Sequence, residues 1–176
     1  MIEHVYVFHG KSHSGKDYCC DILQNLLEEK GLKVLRLAFG DYVKATVSRL
    51  YGITEYHSPE GRSAMQQLGT NLVRAYDPDF WCDTVGRLAT ALQPYYDVLI
   101  ISDARFLNEI ECIKDYFPQE TITVKIERKH IVDNLNDEQH NHESETALDN
   151  YDDWDWIIQN IDNNPEAVRQ QLEQII

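Results

Sequence analysis

The sequence predicts an α/β fold, a doubly wound parallel sheet of about five strands with helices on both faces. Three observations predict it. A short apolar run (Val5, Val7, Phe8) is followed by Gly10, four residues and then Gly15-Lys16, the spacing of a phosphate-binding loop that a strand delivers and a helix follows. The stretch Val98-Leu99-Ile100-Ile101, bounded by Asp97 and Ser102-Asp103, suits a central parallel strand buried on both faces. Strand-like and helix-like stretches alternate along the chain, as right-handed crossovers between parallel strands require. Together they specify a P-loop NTPase fold.

The elements follow in order. After the loop, Ile22, Leu23, Leu26 and Leu27 recur with helical spacing, and Gly31 stops that helix, read as 17–30. Val34 to Leu37 is a short second strand. Asp41 is a candidate N-cap for a helix through Leu50. Residues 51–63 are rich in turn formers and read as a loop. A helix from about Ser63 to Arg74 is broken at Asp77-Pro78-Asp79, and the next runs from Phe80 to Gln93, where Pro94 ends it. Beyond the central strand, 106–116 reads as a helix and Thr121 to Glu127, rich in β-branched residues, as a strand. Arg128 to Leu148 is long, polar and His-rich. Trp154 to Ile158 is the last strand, and Pro165 opens a closing helix to Ile176.

This is one domain of 176 residues. The core is expected at 1–50, 81–127 and 149–176, with insertions at about 51–80 and about 128–148. Both insertions fall at the carboxyl edge of the sheet, where such folds bind ligands.

A net charge of −14 argues against a nucleic-acid or anionic-membrane surface. From Glu127 onward thirteen Asp and Glu face three Lys and Arg, which reads as a solvated, self-repelling surface. Cys19, Cys20, Cys82 and Cys112 show no metal-binding or redox spacing and fit a reducing cytoplasm. No signal peptide and no membrane-length apolar run is present. His130, His140 and His142 near Glu143 and Glu145 lack a structural zinc spacing.

The chemistry starts at the loop. Gly10 and Gly15 let the backbone approach a phosphate, and the loop N–H groups and the next helix converge on the anion. Lys16 reaches the β- and γ-phosphates. The ATP-binding stretch is Gly10, Lys11, Ser14, Gly15 and Lys16 with Asp17 and Tyr18. Asp17 stands where a P-loop usually carries the Ser or Thr that ligates Mg²⁺. It could hold the metal as a carboxylate or through water, or merely favour the positive end of the helix, and both readings stay open. The short chain, the 51–80 excursion as an acceptor site and a polar segment opening with Arg128-Lys129 favour a small kinase, in which a closing lid excludes water.

Five motifs in this order carry a resemblance: Ser14-Gly15-Lys16-Asp17; Gln66-Gln67-Leu68-Gly69-Thr70; Asp77-Pro78-Asp79-Phe80-Trp81; Ser102-Asp103-Ala104-Arg105-Phe106-Leu107-Asn108-Glu109; and His142-Glu143-Ser144-Glu145. The series resembles the deoxynucleoside monophosphate (dNMP) kinases of tailed bacteriophages, across nearly the whole chain. The resemblance implies a nucleoside monophosphate kinase fold using ATP and Mg²⁺ to convert dNMPs to dNDPs for phage DNA synthesis, in the host cytoplasm, and it makes a homodimer plausible. Tyr18 stands where that family often has Thr.

The resemblance implies roles. Lys16, Asp103, Arg105 and Arg128 would be catalytic. Arg62, Gln66, Gly69 and Thr70 would line the monophosphate site with Trp81, Asp103, Arg105 and Glu109, with Arg62 preferred over Arg74 for the acceptor phosphate. Glu109, one turn after Arg105, would orient it. Arg128, Lys129, His142 and Glu145 would belong to the lid, and Asp17 would sit on the metal side. Other readings are a small P-loop kinase for another metabolite, or a module that binds ATP without transferring phosphate.

Overall fold

A computed structural model describes residues 2–118, 121–129, 137–161 and 164–176. The expected lid segment therefore lies partly outside the described residues, His130 included.

Five strands form one parallel sheet in the order β2-β3-β1-β4-β5: β1 is His4–His9, β2 Val34–Leu37, β3 Val98–Ala104, β4 Thr121–Glu127 and β5 Trp156–Gln159. The central strand of the sheet is β1, hydrogen-bonded to β3 on one side and β4 on the other. Both faces of it are buried, so its residues alternate between two cores. Val5 and Val7 join Leu99, Ile101 and Trp81 on one face, and Tyr6 and Phe8 join Ile100, Leu23 and Leu172 on the other.

The first core is covered by α2 (Phe39–Tyr51), α4 (Phe80–Leu92) and α5 (Leu107–Tyr116), the second by α1 (Lys16–Glu29) and α8 (Pro165–Leu172). Cys19 and Cys20 are fully buried in the second core. Burial pushes both thiols up, Cys19 to about 12. No helix among the described residues is long and apolar enough to cross a membrane.

Two local expectations differ from the structure. Ala38, not Asp41, is the N-cap of α2; the cap hydrogen bonds come from across the sheet, because Asp103 at the end of β3 accepts the Phe39 and Gly40 N–H groups at 2.8 and 2.7 Å. Asp41 pairs instead with Lys44 at 2.9 Å. The helix expected from Ser63 begins earlier, as α3 (Pro59–Gln66), because the Ser58 hydroxyl accepts the Gly61 N–H at 3.0 Å and Pro59 takes the first helical position. It then continues as a π-helix, Gln67–Arg74, a form that is frequent at functional sites. The polar segment after β4 includes two short helices, α6 (Asp137–His140) and α7 (Glu143–Thr146).

Candidate functional site

The carboxyl ends of β1, β2 and β3 open onto one cavity of about 880 Å³, walled by the P-loop, the start of α2, the α3–π-helix segment and α7. At its floor is the loop. Gly15 sits at φ 86°, a left-handed conformation that a side chain strains, and a Cβ there would run into the Asn160 amide. That amide donates to the Ser14 carbonyl at 2.8 Å, so the turn after β5 braces the loop from behind. A Cβ on Gly10 would collide with the Ser14 hydroxyl and approach the Ile126 carbonyl. The Ser14 Oγ is buried and has no hydrogen-bond partner among the described residues.

Lys16 begins α1 and is buried. Burial, then the neighbouring Arg105 charge, lowers its pKa to about 8, against the pull of Asp17, Asp103 and Glu145. The carboxyl of Asp103 is raised by burial, countered by the two α2 N–H groups and then by Lys16 and Arg105. The Arg105 guanidinium donates to Glu145 Oε1 at 2.7 Å. Arg62 reaches the Ser12 hydroxyl at 3.2 Å, and Arg128 the His13 carbonyl at 3.3 Å.

Arg74 is held from three sides in the wall. Its side chain is 9% exposed, donates to Glu109 Oε1 at 3.1 Å and to Asn108 Oδ1, and lies 3.9 Å over the Phe106 ring. Glu109 does not hold the Arg105 side chain, as its one-turn spacing suggested. It accepts the Arg105 and Phe106 backbone N–H groups at 2.6 and 3.1 Å, the N-terminal box of α5, and its other oxygen takes Arg74. Burial lifts this carboxyl to about 7 against the Arg74 charge.

Most residues singled out in the sequence line this cavity. From the core come Gly15, Lys16, Asp17, Asp103, Arg105 and Glu109; from the insertions and α4 come Arg62, Gln66, Gly69, Thr70 and Trp81, with Arg128 and Glu145. Several carry local duties too. Asp17 is paired with Arg36 at 3.1 Å. Trp81 donates its indole N–H to the Gly69 carbonyl at 3.1 Å, and a Cβ on Gly69 would approach Val43 of α2 at 3.1 Å, so this glycine admits a helix. The structure places Lys11 and Lys129 elsewhere, with Gly10 and Ser14, on a smaller cavity of about 330 Å³ behind the loop. Lys11 is paired there with Asp149 at 2.5 Å. Tyr18 is exposed on α1, and His142 caps α7 through its Nδ1, which accepts the Ser144 N–H at 3.2 Å; neither lines either cavity.

Sequence reasoning missed Arg36, Lys44 and Asn160, and gave Asn108 no role within its motif. One of them carried a signal: Arg36 is a charge inside the apolar strand Val34-Leu35-Arg36-Leu37, and a charge there needs a cleft or an ion pair. It has both, facing the cavity and pairing with Asp17 and Asp21.

The model of the phosphomevalonate kinase family matches residues 8–119, nearly two thirds of the chain, from the P-loop through α5. The chain belongs to the phosphomevalonate kinase family. Solved structures of small kinases share its fold. An adenylylsulfate (APS) kinase of Mycobacterium tuberculosis, in complex with AMPPNP and APS, is 13% identical over 99% of this chain and 95% of that one, with a TM-score of 0.52. A sugar kinase of a Janibacter species is 16% identical over 98% and 90%, at 0.54. A gluconokinase of Sinorhizobium meliloti is 16% identical over 99% and 94%, at 0.51. This family member thus has a P-loop kinase fold, and family and fold together support a kinase-type phosphotransferase acting on a small molecule.

Proposed function

We propose that the protein transfers the γ-phosphoryl group of ATP to the phosphate of a dNMP, giving a dNDP. One observation carries this reading: a single cavity joins the P-loop lysine to a second wall where a clamped arginine, Arg74, stands among flat and apolar side chains. Arg74 and Arg62 suit an acceptor phosphate, while Phe39, Tyr56, Met65 and Trp81 suit the faces of a base and sugar. Phosphoryl transfer depends on positioning and charge neutralisation. Lys16 and Arg105 both line the cavity, and their charges answer the negative charge that spreads over the oxygens of a transferring γ-phosphoryl group. Residues 51–80 act as the acceptor-binding insertion and 128–148 as the lid.

Mg²⁺, when bound with ATP, neutralises the phosphate oxygens. Asp17 and Asp103 fit it, as two carboxylates on the cavity beside Lys16. No group of three or more His, Cys, Asp or Glu among the described residues could hold a metal alone, which suits an ion that arrives on the nucleotide. A homodimer in the host cytoplasm completes the proposal.

The family match favours a second acceptor, phosphomevalonate. Both acceptors are phosphomonoesters, so Arg74 and Arg62 would serve either, and the carboxylate of phosphomevalonate would call on Lys44 or Arg36. A coupled ADP-release assay with ATP, Mg²⁺ and each dNMP, each NMP and phosphomevalonate decides between them. Fast release with dNMPs, abolished by Lys16→Ala and Arg105→Ala, is expected. Release with phosphomevalonate alone would reassign the acceptor, and release with none would leave only nucleotide binding.

A further inference from the structure

The motif His142-Glu143-Ser144-Glu145 is built into the site, with Ser144 and Glu145 on the cavity wall. His142 caps α7 with its ring, and this sets the turn so that two oxygens converge on Arg105: the Ser144 carbonyl at 3.4 Å and Glu145 Oε1 at 2.7 Å. The other Glu145 oxygen accepts the Ser12 N–H of the P-loop at 3.1 Å. The carboxylate is thus a bridge between Arg105, the residue that follows β3, and the loop that would hold ATP. Its side chain is 10% exposed and that of Arg105 22%. Burial works against the charge of Glu145, and Arg105 and the Ser12 N–H outweigh it, holding the carboxyl below its ordinary range. The segment is anchored on both sides, by Leu148 in the core and by Gln139, whose amide donates to the Pro59 carbonyl at 3.1 Å.

We propose that Glu145 is a positioning residue that holds Arg105 against the P-loop. Arg105 has several rotatable bonds and stands beside Lys16, which repels it. A bridging carboxylate fixes one guanidinium nitrogen against the loop and offsets that repulsion, leaving the other nitrogens for phosphate oxygens. The inference rests on the phosphoryl-transfer reading but not on the acceptor.

The test is a double-mutant cycle with wild type, Glu145→Gln, Arg105→Ala and the pair, using whichever acceptor turns over. Glutamine preserves size and one acceptor oxygen. The expected result is a kcat about a hundredfold lower in Glu145→Gln. The ATP KM should rise far less, about fivefold, and the pair should match Arg105→Ala alone within about threefold. Multiplying losses, or an unchanged kcat in Glu145→Gln, overturns the proposal. If wild type turns over no acceptor, the transfer reading fails on its own, and the same cycle is read by calorimetric affinity for AMPPNP with Mg²⁺. Weakening by Glu145→Gln that disappears in the Arg105→Ala background still supports the bridge. Equal weakening in both backgrounds, or none, refutes it.

Discussion

Asp103 is expected to be as much a folding residue as a site residue, and Asp103→Ala measures how much. Its two carboxylate oxygens accept the N–H groups of Phe39 and Gly40 at 2.8 and 2.7 Å, so the first turn of α2 is capped from a different element. Hydrogen bonds to a charged group are worth about 1.5–3 kcal/mol each. Burial of the carboxylate, which raises its pKa, offsets part of that gain. A net loss of about 2–3 kcal/mol follows, at or above the upper end for removing a helix N-cap. For a chain of this size each kcal/mol shifts the melting temperature by about 2–4 °C, so Asp103→Ala should melt about 5–10 °C lower. Asparagine retains one acceptor but turns an amide donor toward the second N–H, so Asp103→Asn should recover less than half. Gly40→Ala offers an independent check, because its Cβ would stand 2.7 Å from Asp103 Oδ2 and displace the cap. Calorimetric or fluorescence melting without nucleotide reads all three. If Asp103→Ala melts within about 1 °C of wild type while turnover is lost, the capping argument is wrong and Asp103 acts on the substrates alone.

Lys16, with a pKa near 8, is mostly neutral at about pH 9, and the phosphates of an incoming nucleotide restore its charge. Nucleotide binding at that pH should take up a proton, seen as a dependence of calorimetric heat on buffer ionisation enthalpy, and Lys16→Ala should abolish it. Arg74→Lys loses the fork that Asn108 and Glu109 hold and its face on Phe106, so the acceptor KM should rise about tenfold or more with the ATP KM nearly unchanged. Gly15→Ala combines a left-handed φ with a collision against Asn160 and should remove ATP binding in a titration. Gly31→Ala, at φ 84° with nothing near its Cβ, should cost only about 1–2 kcal/mol of stability in urea denaturation and leave ATP affinity intact.

Local sequence determined much of this protein. The apolar strands 34–37, 98–101 and 121–127, the Gly10 to Lys16 loop and the helix that Gly31 stops were legible because each depends on residues close together in the chain: side-chain periodicity, a left-handed glycine, a proline or a cap. The members of the cavity were largely legible for a related reason, since a parallel sheet brings all its carboxyl-edge residues to one side. Tertiary structure decided what each of them touches. Spacing suggested that Glu109 steadies the Arg105 side chain, but side-chain contacts are set by packing across elements, so Glu109 serves Arg74 and Glu145 serves Arg105. The cap of α2 and the brace on Gly15 likewise come from residues 63 or more positions away, Asp103 and Asn160. Pattern within a segment can specify a strand, a loop or a helix; the pairing of buried charges and orphaned backbone groups is settled only where distant segments meet, because each must find its partner in three dimensions.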